Sequence, residues 1–197
     1  MDFTLTLAIV AITVLVSWRA FNDRALLERL ILWPPAVERR GQYDRLLTHG
    51  FIHADWMHLL FNMITLWSFG TAVERVFSEM ITPVGFVLFY LSAIVVSILP
   101  TYISHRRDPN YRSLGASGGV SAVLFAFILF DPWSKLIIFP IPVPIPAFLF
   151  AILYVGYSIW MDRRGRDNVN HSAHLWGAAY GVLFTVLLEP RILGHFT

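Results

Sequence analysis

The sequence predicts an all-α membrane protein that crosses the bilayer several times. Three observations carry this expectation. Only 14% of the 197 residues are charged, while 56% are hydrophobic and 15% aromatic, against about a quarter charged in a soluble domain. The charge is gathered into loops, which leaves six long charge-free stretches. Apolar residues in them do not alternate with period two, and lipid admits only helices or closed barrels. The mean hydropathy of +0.61 agrees. Disordered, fibrous and disulfide-scaffold classes are excluded, because hydrophobicity is high and Cys is absent.

A helix needs about 20 apolar residues to cross the hydrocarbon core, with roughly 17 as the lower limit. The six stretches run Phe3 to Trp18, Trp56 to Val73, Met80 to His105, Ser113 to Phe130, Leu136 to Met161 and Asn168 to Leu188. The first is short and extends into Arg19, whose stem can snorkel. It carries Asp2 rather than a basic n-region and has no clear small-residue cleavage site, so it reads as a retained helix. Residues 19–55 form one long loop. Within it, Ala25 to Trp33 mixes apolar and charged residues and stops at Pro34-Pro35. That run suits an element at the membrane interface, or a surface loop with a helical turn or two. With no repeats or low-complexity linkers, residues 1–197 read as a single domain.

The net charge of +2 is weak support for an acidic partner. No nucleic-acid motif is visible. Twelve of the 15 Lys and Arg lie in the first, third and fifth loops and three on the other side. By the positive-inside rule, the first group of loops would face the cytoplasm.

An ionisable residue inside a span is a functional-site candidate. In His53-Ala-Asp-Trp-Met-His58-Leu-Leu-Phe-Asn62, His58 and Asn62 share a helix face, and His53 lies at or before the helix start. The bland alternative is hydrogen-bonding glue between helices. In Gly115-Ala116-Ser117-Gly118-Gly119-Val120-Ser121, small residues sit where a span begins. They serve helix packing, or they flank a nucleophile at a helix N-terminus, where free N–H groups favour an oxyanion. In His171-Ser-Ala-His174, the following Gly177, Ala178 and Gly181 line one face and admit a second helix close to His174. His171, three residues earlier, is a rival base, but the glycine spacing selects His174. A serine is a poor nucleophile until a base takes its proton, and His is the usual base near neutral pH. No acidic residue lies inside the six stretches, so a Ser–His dyad is the economical reading.

Together these segments resemble the rhomboid intramembrane serine proteases. The family's G-x-S-G reads Gly115-Ala116-Ser117-Gly118. Its H-x4-H-x3-N reads His53, His58 and Asn62. Its A-H-x2-G-x3-G reads Ala173-His174, Gly177 and Gly181. The resemblance implies a six-helix rhomboid-like bundle, with Ser117 as nucleophile and His174 as general base. It implies an oxyanion hole from the Ser117 N–H, His58 and Asn62, with His53 in support. Glu74 resembles a structural acidic residue, the long first loop an interfacial element, the fifth helix a lateral gate, and residues 162–171 a cap. Transmembrane protein substrates, the lipid bilayer as surroundings, no cofactor or metal, and a cell (inner) membrane location are expected.

Three positions depart from the family pattern. Asp44-Arg45 stands where Trp-Arg is common. Ser121 stands where an aromatic residue often stacks on the histidine, so His174 must be oriented otherwise. Trp176 stands where Gly is frequent. The family topology, with a cytoplasmic N-terminus and an outward site, opposes the arginine bias and is retained here. Two other function classes remain: a non-catalytic escort of membrane clients, and a transporter or metal site built on His53, His58, His171 and His174. The second lacks H-E-x-x-H and any acidic or Cys ligand in the stretches.

Overall fold

The first helix, α1 (Leu5–Asn22), shows why this chain belongs in lipid. Thr4 caps it, accepting from the Leu7 N–H at 3.2 Å. Its buried positions are Thr6, Ile9, Thr13, Ser17 and Ala20, a mostly small and polar stripe, whereas Ile12 and Leu15 are exposed. Small and hydroxyl side chains facing the interior with aliphatic ones outside is the packing of helices whose surroundings are already apolar. The computed structural model describes residues 4–138, 141–165 and 169–196. Phe3 and Asn168, ends of two expected stretches, lie outside the described residues.

The long first loop folds into three short helices: α2 (Arg24–Leu30), α3 (Pro34–Arg40) and α4 (Arg45–Thr48), followed by a 3₁₀ turn at His49–Phe51. Pro34-Pro35 opens α3, where a missing N–H costs nothing. Gly41 closes it in the left-handed region, at φ 65°. Arg45 is buried and pins the loop: it donates to Gln42 Oε1 and to the Glu28 and Ile31 carbonyls at 2.6–2.8 Å. Leu32 and Ser113 exchange backbone hydrogen bonds as an isolated antiparallel bridge. This ties the loop to the segment that leads into Ser117.

Five further helices follow: α5 (Trp56–Met80), α6 (Pro83–His105), α7 (Ser117–Phe130), α8 (Ala147–Arg164) and α9 (His171–Leu188). Among the described residues, α1 and α6 are each long and apolar enough to cross a membrane. The apolar α9 and the 3₁₀ segment after it (Pro190–Phe196), bent by 111°, form a third candidate. α7 is the core element. Eleven of its 14 residues are buried, and it packs against α5, α6 and α9. Phe77, Phe89 and Phe184 interlock below the site with ring centroids 4.8–5.7 Å apart.

Two expectations are corrected. Leu136 to Met161 is not one helical stretch: Lys135–Ile138 (β1) and Ile141–Pro146 (β2) pair antiparallel, and helix begins only at Ala147. Prolines at 142, 144 and 146 remove N–H donors and clash with a helical backbone. The alternating Ile and Val residues are stiff and favour extended chain. Strands therefore occur, outside the helical core. The second stretch does not end at Val73; α5 continues to Met80 through Glu74 and Arg75. Glu74 is buried and accepts from the Leu5 N–H (2.8 Å), the Thr6 N–H (2.8 Å) and the Thr6 hydroxyl (2.6 Å). Its carboxylate caps the first turn of α1, where backbone donors and the helix dipole favour negative charge.

Candidate active site

Ser117 is the first residue of α7. The chain reaches it through Gly115, whose φ of +114° disfavours any side chain. The Gly115 N–H donates to the His49 carbonyl at 2.9 Å. A β-carbon on Gly115 would lie 2.7 Å from His58 Cε1 and 2.8 Å from Nε2. The His58 ring therefore lies flush against the backbone that precedes Ser117.

His53 locks this turn from behind. The Ala116 N–H donates to His53 Nε2 (3.4 Å), so Nδ1 carries the proton and donates to Ser17 Oγ (2.9 Å). Ser17 in turn donates to the Phe51 carbonyl (3.0 Å). Donors and acceptors alternate along the whole chain of bonds, which fixes the neutral imidazole tautomer. Burial, then the neighbouring His58, pushes His53 down to about 3. His49 is likewise held neutral, pushed down to about 4 by burial, with Nδ1 donating to the Arg45 carbonyl (3.1 Å).

His58 receives a long hydrogen bond on Nδ1 from the Ala54 N–H (3.5 Å). That tautomer leaves Nε2–H as a donor beside Gly115. Asp55 caps α5, accepting from the His58 N–H at 2.8 Å. Asn62, one turn on and buried, gives one amide hydrogen to the His58 carbonyl (2.9 Å). Its second amide hydrogen is left for the cavity that Asn62 lines.

The helix that carries His174 is brought against α7 by absent side chains. A β-carbon on Gly177 would run into the Gly118 carbonyl oxygen, and one on Gly181 into the carbonyl of Ala122. A β-carbon on Gly118 would strike Ser97 Oγ and come within 3.4 Å of the Ala173 carbonyl. α7 and α9 thus touch backbone to backbone at two points one turn apart, the first next to Ser117 on α7 and one turn after His174 on α9. Ser117, His174, His58, Asn62, Gly115 and Gly118 all line one cavity of about 1100 Å³. His53 is outside that lining, behind the turn. His171 is buried, meets the His174 ring edge to face at 5.6 Å, and borders an adjoining smaller cleft of about 510 Å³.

Three contributors escape the sequence reading. Asn170 caps α9, accepting from the Ala173 N–H (3.0 Å) and Thr101 Oγ1 (3.2 Å). It also donates to Tyr111 (3.3 Å) and Ser113 (3.4 Å), joining α9 to α6 and to the segment before Ser117. An Asn just before a helix is the signal that could have found it. Ser17 and Tyr154 carry no local signal, since their partners are distant in sequence. Of the expected cap at 162–171, residues 166–168 lie outside the described residues.

Fold and site together define a helical integral membrane protein with a cavity that Ser117, His58, Asn62 and His174 line. Residues 40–191 match the Rhomboid domain family model, and the chain belongs to the Rhomboid family. It is similar to RHOMBOID-like protein 12, mitochondrial, of Arabidopsis thaliana (32% identical over 92% of this chain). It is also similar to Rhomboid protein 1, mitochondrial, of Saccharomyces cerevisiae (32% over 68%) and to Rhomboid protease GluP of Bacillus subtilis (30% over 80%). The chain spans 57%, 38% and 28% of the lengths of these three relatives.

Proposed function

We propose that this chain is an intramembrane serine endopeptidase that cleaves peptide bonds in or near transmembrane segments of other membrane proteins. The observation that supports the reading is the backbone contact of Gly177 on Gly118, which packs α9 against α7 while Ser117 and His174 both line one cavity. His174 takes the Ser117 hydroxyl proton as Oγ attacks the scissile carbonyl. The oxyanion that forms is met by the Ser117 N–H, His58 Nε2–H and the second Asn62 amide hydrogen. The C–N bond then breaks, and His174 passes the proton to the leaving amine. A water deprotonated by His174 hydrolyses the acyl-enzyme and restores both residues. Each oxyanion donor is worth about 10²- to 10³-fold in rate. No cofactor or metal is part of the scheme, and no nucleic acid is a partner.

The proposal includes six membrane spans (α1, α5, α6, α7, α8 and α9) in a single domain of residues 1–197, within a cell (inner) membrane. α7 has 14 residues, a rise of about 21 Å against a hydrocarbon core of about 30 Å. Its N-terminal Ser117 is thereby recessed below one surface, and the cavity above it admits water to the reacting bond. Transmembrane segments that unwind easily suit such a site, because a helical carbonyl is already hydrogen-bonded and shielded.

The test is labelling of the purified chain by a fluorophosphonate probe, together with cleavage of a transmembrane reporter. Wild type should label and cleave, while Ser117→Ala and His174→Ala should do neither. A folded wild type that labels with no probe and cuts no reporter would overturn the proposal in favour of a non-catalytic escort.

A further inference from the structure

His174 has to present one ring nitrogen to Ser117, so something must hold the plane of its ring. The facing positions of α7 are too small: Gly118 has no side chain and meets the Ala173 carbonyl of α9, and Ser121 carries only a hydroxymethyl. The plate comes from another helix. Tyr154 of α8 lies parallel to His174, with ring planes 20° apart and centroids 6.1 Å apart. Such offset-parallel aromatic pairs fall in the favourable range.

Tyr154 is itself fixed at both ends. Its hydroxyl is 2.6 Å from the hydroxyl of Ser121, one turn after Ser117 on α7. Its ring packs at 5.6 Å on Phe125 and 5.7 Å on Phe150. Ser121 is buried, so each hydroxyl needs the other. Tyr154 also lines the cavity shared by Ser117 and His174. We propose that Tyr154 is the positioning residue for His174, held by Ser121 and delivered from α8. Among the six long helices, α8 has the fewest buried residues, Ala147 and Ser158. Any outward shift of α8 would break the Tyr154–Ser121 bond and take the plate from His174. Alignment of the dyad is therefore coupled to the seating of α8.

The inference rests on the Ser117–His174 reading, and the experiment separates the two. Fluorophosphonate labelling rates of the full chain are measured from about pH 5 to 9, the range in which a histidine base titrates, beside thermal unfolding of each variant. Tyr154→Leu should label about 10- to 100-fold more slowly, the scale of a misplaced catalytic group, with a displaced acidic limb of the pH profile, where protonation of the histidine base stops labelling. Tyr154→Phe, which keeps the plate, should stay within about fivefold of wild type, one neutral hydrogen bond's worth. The double variant Tyr154→Ser with Ser121→Tyr moves the plate onto α7 and should regain a wild-type pH profile. Labelled wild type with an unchanged Tyr154→Leu rate and profile would overturn this inference alone. So would a folded Tyr154→Phe as slow as Tyr154→Leu. A folded wild type that does not label at all removes the dyad, and this inference with it.

Discussion

Gly177 lies so close to the carbonyl of Gly118 that neither helix has room for one added methyl between them. Gly177→Ala should therefore force α9 away from α7. The expected cost is about 1–3 kcal/mol, typical of overpacking, with loss of probe labelling. Gly156 in α8 is the matched control, since a β-carbon there meets nothing within 4 Å. Gly156→Ala should leave labelling intact and, by helix propensity, stabilise by about 0.5–1 kcal/mol. Thermal unfolding in detergent micelles checks both.

Glu74→Ala removes the acceptor of three hydrogen bonds from Leu5 and Thr6. Hydrogen bonds to a charged group are worth about 1.5–3 kcal/mol each, with partial replacement by water. A loss of roughly 2–4 kcal/mol is expected. α1 should become open to hydrogen exchange and proteolysis before the rest of the bundle. A variant whose first turn stays as protected as in wild type would contradict the capping role.

Acid should loosen the loop before Ser117. His49 sits near 4 when folded against an ordinary 6.5, so the unfolded chain binds the proton more readily. The stability this gives is full above pH 6.5 and is lost as pH falls from 6.5 toward 4. It amounts to roughly 3 kcal/mol by the usual conversion. His53 acts in the same direction, reaching lower still. His49→Asn keeps a donor for the Arg45 carbonyl and removes the titration. Its unfolding temperature should fall less steeply than wild type between pH 6.5 and 4.5.

His171 and His174 separate in a direct comparison. His174 lines the cavity with Ser117, whereas His171 faces the smaller cleft. His174→Ala should abolish labelling, and His171→Ala should retain part of it. Full loss from His171→Ala with none from His174→Ala would reverse the assignment.

A reporter fused after Thr197, itself outside the described residues, should read cytoplasmic. The arginine bias opposes this topology, and half of the arginines that make it have partners within the fold. Of the twelve, Arg19 and Arg29 face carboxylates. Arg45 is buried on carbonyls, and Arg40, Arg112 and Arg164 lie over tryptophan rings. A periplasmic or extracellular signal would overturn the orientation.

Much of the candidate site was readable because lipid tolerates few polar groups. Ser117, His58, Asn62 and His174 stand out in apolar surroundings, and glycines at spacings of three and four mark where backbones meet. What charge counting misreads is equally physical. Ile141-Pro-Val-Pro-Ile-Pro is free of charge, yet its prolines forbid helix. Glu74 interrupts an apolar run, yet the N-terminus of α1 satisfies its carboxylate inside α5. Tyr154 and Ser17 stay hidden because each acts across more than 30 positions, on Ser121 and His53 respectively, and no local pattern encodes such pairs.

The family match begins at residue 40, yet Ser17 reaches the turn before Ser117 through His53, and Thr6 meets Glu74. The cooperative unit is thus larger than the stretch that the family model matches. A truncation at the family boundary would strip away the buttress of the nucleophile's turn while leaving every signature residue in place. Activity lost in such a fragment would report a missing scaffold, not a missing chemistry.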